Sequence, residues 1–328
     1  MALWDADKGQ VSDASVWRRM LAQSVYGNRW FLAPGTGAGG SDSNSGMSPS
    51  APFATTVAAL AAATAGNNDT IYMKASSDTA ANTTDYQSTS LLWAKDVVHL
   101  VGVNSGSMYS PRSRIAALST ATPASVSPLV TWSANGCLCE GIEFFHGLAS
   151  ASAIGAVFVS GERNVFRNCH FAGIGNATMD ISTAYSLKVT GQENLFENCI
   201  IGLDTIQRTA ASAELLFDSG ATRNVFRKCR IVTYGTANHL FVKVPVNGID
   251  RDNTFEDCTF INAPTGIAAG TTMTQAFSVT GGGTPDGMLL LKNCMFTGVT
   301  HVETSATGKV LRDNYTSIAV ATTVPSAT

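Results

Sequence analysis

A block of nine residues returns at a nearly fixed interval: RNVFRNCHF at 163–171, ENLFENCII at 193–201, RNVFRKCRI at 223–231 and DNTFEDCTF at 252–260. Aligned on cysteine, the register runs through Cys169, Cys199, Cys229, Cys258 and Cys294, and extends back to Ile142 and forward to Asn314. Three positions before this anchor stand Cys139, Phe166, Phe196, Phe226, Phe255, Leu291 and Leu311; two after it stand Phe144, Phe171, Ile201, Ile231, Phe260 and Phe296. A repeat of this length restricts the chain to stacked units that share one core.

Spacing inside the block sets its geometry. In a straight strand, residues two apart share a face and residues three apart do not. Phe166, Cys169 and Phe171 can all point inward only if the chain bends between the first two. The bend position holds Asn168, Asn198, Lys228, Asp257, Asn293 and Asp313, and Asn and Asp tolerate the left-handed backbone that a one-residue corner needs. A further strand precedes each block (AVFVSGERN, SLKVTGQEN, LLFDSGATRN, AFSVTGGGTPDG) and ends in a turn. Three short strands and three turns per segment make one coil of a parallel β-helix. The copies lack a 3.6-residue apolar stripe, which argues against helices.

This pattern resembles the right-handed, pectate-lyase-like β-helix family over about residues 90–320. The expected architecture is an all-β, single-chain solenoid with a small N-terminal capping module that contains an Ala-rich helix. The expected segments are an arm at 1–30, the module at 31–90, the β-helix at 91–320 and a tail at 321–328. In the module, Val57, Leu60 and Ala61 fall at helical spacing, and the helix is expected to plug the open end of the stack, where strand edges would otherwise pair with other chains. The run GTGAGG lacks the following GK[ST] of a phosphate loop.

Two readings attach to each repeated column. The cysteines read as a core ladder of reduced thiols, since free Cys behaves as a small buried hydrophobe; metal binding or disulfides are the alternatives, without a zinc-like CxxC spacing. Asn164, Asn194, Asn224 and Asn253 read as an amide ladder between coils or as a carbohydrate-binding row. Arg167, Glu197, Arg227, Glu256, Lys292 and Arg312 face outward and read as surface pairing. Leu138, Val165, Leu195, Val225, Leu290 and Val310, with Thr254 among them, form an outward apolar stripe. It is expected either to be a subunit interface, most simply in a trimer, or to be covered locally.

Composition narrows the function classes. Charged residues make up 14% and the formal net charge is −3, which gives no general reason to expect nucleic-acid binding. No run of about 18 apolar residues suggests a membrane span, and MALWDADKGQ lacks a basic segment leading into an apolar one, so no secretion signal is expected. Carboxylate pairs for polysaccharide cleavage could come from Glu214 and Asp218, or Asp180 and Asp204, with His170 or His239 nearby. No pair recurs in register, and Asp250, Arg251 and Asp252 read as a solvated turn. No cofactor or metal site is expected.

A rigid shaft of this type resembles bacteriophage virion β-helix proteins. By that resemblance the expected function is non-enzymatic: a trimeric capsid decoration or head-associated protein in the virion, made in the host cytoplasm. Its partners would be other copies of itself and the major capsid protein or another virion protein, with Trp17, Arg18 and Arg19 as capsid anchor. The alternative is a tail fibre or tailspike that binds or depolymerises host surface glycan.

Overall fold

In the computed structural model each repeat closes one turn through three strands. The coil around Cys169, for example, runs through Gly155–Val159, Val165–Arg167 and His170–Ala172. The structure describes residues 27–34, 39–75, 84–103, 109–263, 272–280, 287–304 and 309–313. Among these, equivalent strands stack into three parallel sheets. Sheet A has ten strands, from Arg29–Leu32 to Val310–Arg312; sheet B has nine, counting the short side strand Gln207–Arg208; sheet C has eight.

The corner between sheets A and B is one residue in the left-handed region. Asn168, Asn198, Lys228, Asp257 and Asn293 have φ of 52°, 53°, 52°, 54° and 49°, and Gly141 takes the same place with φ of 66°. The bend lets Phe166 and Cys169, three residues apart, both point inward, as the spacing requires. Phe166, Phe196, Phe226 and Phe255 are fully buried and stack in one file, with centroids 4.9, 4.6 and 4.9 Å apart. Burying a side chain of this size contributes about 1.5–3 kcal/mol, so the file is a main source of stability. Beside it the thiols of Cys199, Cys229 and Cys258 each donate to the carbonyl of the Phe one coil earlier, at 3.4, 3.3 and 3.2 Å. The seven cysteines are free thiols. Burial pushes Cys137 up to about 11 and holds Cys139 and Cys199 well above the ordinary thiol range.

The asparagine column is an amide ladder. Asn164, Asn194 and Asn224 each donate from Nδ2 to Oδ1 of the next Asn, at 3.1, 3.0 and 2.9 Å. That same oxygen accepts the backbone N–H of the preceding Asn, and each Nδ2 also reaches a carbonyl of the coil before. Donors and acceptors are matched in a buried place, which fixes the register between coils. Outside, Arg167 lies 2.9 Å from Glu197 and 3.9 Å from Glu140, and Arg227 lies 2.9 Å from Glu256 and 3.9 Å from Glu197, a continuous zigzag of opposite charge.

Two details depart from the sequence reading. The strands Arg29–Leu32 and Thr70–Lys74 belong to sheet A and Asp85–Gln87 to sheet B, so the sheets run without a break across residue 90. The helix Thr56–Ala62 buries Thr56, Ala59 and Leu60, whereas Val57 is 55% exposed and Ala61 is exposed. At its start Asp85 Oδ2 accepts the backbone N–H of Thr56 at 3.1 Å. Among the described residues no helix is long and apolar enough to cross a membrane.

Candidate functional site

The outward apolar column holds together through most of its length. Val165 pairs in register with Leu138 and Leu195, then Val225, Thr254 and Leu290 follow. From Val165 to Leu290 these side chains are half-buried, while Leu138 is buried, its backbone N–H donating to Nδ1 of His99 at 3.0 Å. Val310 does not belong to the stripe. It pairs with Leu289 and joins the core, and Leu311 takes the place beside Leu290. The last coil enters sheet A one residue out of the expected register. Trp17, Arg18 and Arg19 lie outside the described residues.

Two buried glutamates have charged neighbours. On the outer face of sheet B, Arg114, Glu143 and His170 stand in register on successive strands. Arg114 Nε binds Glu143 Oε2, and Glu143 Oε1 lies 3.9 Å from His170 Nδ1. The Ser110 N–H donates to that Nδ1 at 3.2 Å, and Nε2 lies 3.0 Å from the Gly202 carbonyl. His170 is therefore neutral with its proton on Nε2, and burial lowers its pKa. Tyr109 meets the imidazole edge-on and carries Arg230 over its own ring. Glu143 and His170 are only 2% and 3% exposed.

The second cluster occupies the corner between sheets B and C. Glu214 accepts from Ser186 Oγ and, at 2.9 Å, from Thr233 Oγ1. Arg208 Nε and His239 Nε2 lie 3.6 and 3.4 Å from Glu214 Oε1, and Ser212 Oγ lies 3.0 Å from His239 Nδ1. Despite burial, the His239 contact and the Arg208 charge hold the Glu214 carboxyl below the ordinary range.

Three of the four acids singled out from sequence are engaged with other groups. Asp218 pairs with Lys188 at 2.7 Å, away from the sealed Glu214. Asp180 accepts from the Thr209 N–H and Oγ1 at 2.7 and 2.8 Å, as a brace for the segment carrying Arg208, and Asp204 is exposed. His239 does meet Glu214. His170 meets Glu143, with the Asp204 charge also acting on it; spacing alone did not reveal Glu143, and its register with Arg114 and His170 was the available signal. Asp250 and Arg251 form a loose exposed pair at 4.0 Å. A general acid or base must reach the proton it moves, and neither buried glutamate reaches solvent. Among the described residues, no His, Cys, Asp and Glu cluster has the geometry to hold a metal.

The N-terminal end differs from the middle. The outward column that carries the charge zigzag begins as Phe31, Tyr72 and Val101 before reaching Glu140. Phe31 and Tyr72 stack at 5.9 Å and, with Pro49, Pro52 and Val103, line an apolar groove of about 410 Å³ to which the exposed Arg29 and Lys74 add positive charge.

No family model matches the chain, and no curated protein sequence matches it significantly. Among solved structures it is similar to a rhamnogalacturonan lyase, at TM-score 0.55 and 15% identity over 82% of this chain and 68% of that one. It is less similar to the pectin methylesterase PemA from Erwinia chrysanthemi, at TM-score 0.48 and 14% identity over 88% and 92%. ORF18 of Geobacillus virus E2 follows at TM-score 0.35 and 11% identity over 94% and 63%. The fold is a parallel β-helix of the pectate-lyase-like type. The first likeness speaks for that fold alone.

Proposed function

We propose that the chain is a non-enzymatic structural protein of a bacteriophage virion: a trimeric capsid decoration or head-associated protein held to the capsid through its N-terminal region. The groove at the N-terminal end of sheet A supports this reading most directly. It is apolar, bordered by two cations, and sits where the outward column loses its charge zigzag. Such a surface suits an apolar segment of a capsid protein flanked by an acidic residue. The half-buried stripe from Val165 to Leu290 gives the copies of a trimer a face on which to meet, and Glu143 and Glu214, the two acids that face a histidine, are buried away from a polysaccharide.

The test is co-sedimentation with purified capsids. The full chain should bind, and Tyr72→Asp should bind at least tenfold more weakly while keeping its melting temperature. Equal binding by the variant, or no binding by the full chain, defeats the attachment. Light scattering should give three times the chain mass, and a mass of one chain removes the trimer. The alternative, a tail fibre or tailspike that binds or cleaves host polysaccharide, is favoured by a groove on sheet B described next.

A further inference from the structure

The outer face of sheet B carries a second hollow, of about 680 Å³, between residues 118–123 and 147–149 and beside the Arg114–Glu143–His170 column. Its character differs from the apolar groove at the N-terminal end. Tyr86, Phe145, Arg114 and Thr120 border it, so aromatic surface, a cation and a hydroxyl converge on one space. The volume is that of a small-ligand site, about 300–1,000 Å³.

The register explains the hollow. Tyr86, Ala116, Phe145 and Ala172 follow one another in one outward column, alternating large and small. The Tyr86 and Phe145 positions are two coils apart, about 9.6 Å at the usual strand spacing, with only a methyl group between them. Tyr86 is 40% exposed. Arg114 lies over Phe145, 5.9 Å from the ring centroid. Its Nε is committed to Glu143, a carboxylate with the His170 imidazole behind it. The guanidinium is thus held in place from behind, and its side chain remains 27% exposed. An arginine fixed in this way can bond a carboxylate through its remaining N–H groups.

We infer that this groove binds an acidic saccharide: one sugar ring lies against the aromatic side chains and its carboxylate meets Arg114. C–H faces suit the aromatic rings, hydroxyl edges suit Thr120 and Tyr86 Oη, and the acid suits the guanidinium. Arg114 acts as the recognition group, and Glu143 positions it. The inference is independent of capsid attachment, because the groove lies on a different sheet from the one at the N-terminal end. It deepens the tail-fibre reading by naming the ligand and its place.

The full chain is applied to an array of microbial surface polysaccharides, and an acidic polysaccharide from the array is then titrated beside its carboxyl-reduced form. The expected result is binding of the acidic form, with at least tenfold weaker binding of the reduced form. Tyr86→Ala and Thr120→Trp, one removing a wall and the other filling the space from an exposed position, should each weaken binding tenfold at an unchanged melting temperature and leave capsid co-sedimentation unaffected. The inference is overturned if no acidic polysaccharide binds, if the reduced form binds equally, or if both variants bind like the parent chain.

Discussion

The corner between sheets C and A and the corner between sheets B and C solve the same problem differently. At the first, each coil turns in a few residues, and Asn164, Asn194, Asn224 and Asn253 meet each other's needs without a missing partner. At the second, the connections vary in length, and one of them folds Arg208 into the interior. There the Arg208 Nε, Nη1 and Nη2 and the His239 Nε2 make no hydrogen bond, although Arg208 and Glu214 are fully buried. A short repeated turn can be satisfied by copying one residue. A variable turn needs a particular set of partners, and its charges balance one another more than they bond. Buried ion pairs of this kind add little net stability, but losing one partner is severe.

That contrast gives the largest expected effect. Glu214→Ala leaves the Arg208 cation buried without its counter-charge and should lower unfolding stability by about 3–5 kcal/mol in denaturant titration. The double variant Arg208→Met with Glu214→Leu should recover most of the loss. If it is as unstable as Glu214→Ala alone, the cluster does more than balance charge.

The two corners also differ in what the sequence could reveal. The columns of Phe166, Cys169 and Asn164 were readable because one coil constrains the next: each residue type recurs where the same neighbour lies above and below. The left-handed corner followed from a spacing of three, even where Lys228 broke the Asn/Asp pattern. The Arg208–Glu214–His239 cluster was only partly readable. Glu214 and His239 drew attention as titratable groups, but Arg208 arrives on a segment with no counterpart in other coils, so no register could place it. Val310 failed for a related reason, since the last coil is short and shifts the pairing by one residue. The helix face was legible only in part: Leu60 is buried, but Ala59 shares its face where Val57 and Ala61 do not, and in an Ala-rich segment the apolar pattern does not say which small residue turns inward.

A second test lies within one coil. Asn194→Ala removes an oxygen that accepts two N–H groups and an amide that donates twice, all buried. Leaving such groups unpaired should cost about 2–4 kcal/mol. Asn198→Ala, four residues on at the outward corner, loses its tolerance of positive φ and one half-buried bond to Asn168, and should cost about 1 kcal/mol. Equal losses would mean that the ladder holds the register no better than the turn does.

Titration separates the surroundings of the helix from the rest of the shaft. Burial lowers the pKa of His99, His146 and His170 below the usual 6.5, so as pH falls the unfolded chain takes up protons first. Their contribution is complete above about pH 6.5 and is lost as pH falls below that value toward their folded pKa values. Asp85 has the opposite sign: burial against the helix raises it from 3.8 to about 6. Its charge therefore destabilises the fold at neutral pH, and that penalty is relieved as pH falls from about 6 toward 3.8. Asp85→Asn should raise stability at pH 7 by roughly 1–3 kcal/mol, with the advantage over the parent shrinking below pH 6. A constant advantage from pH 4 to 7 would show that the Asp85 charge is not its source.

The smallest effect concerns the corner between sheets A and B. Asn168 and Asn198 bond to each other along the stack, and Asn293 donates to Asp257 at 2.7 Å. Lys228 interrupts this file with an exposed side chain at φ of 52°. A left-handed conformation costs an ordinary residue about 1–2 kcal/mol, and Asn, which bonds locally, pays less. Lys228→Asn should therefore raise unfolding stability by about 0.5–1 kcal/mol, and Lys228→Ala should bring no gain. The charge zigzag offers a check on the cause. Arg227, not Lys228, carries the ion pairs with Glu197 and Glu256, so removing the lysine leaves the zigzag whole. A gain that disappears at high salt would point to charge after all, whereas a gain independent of salt belongs to the backbone.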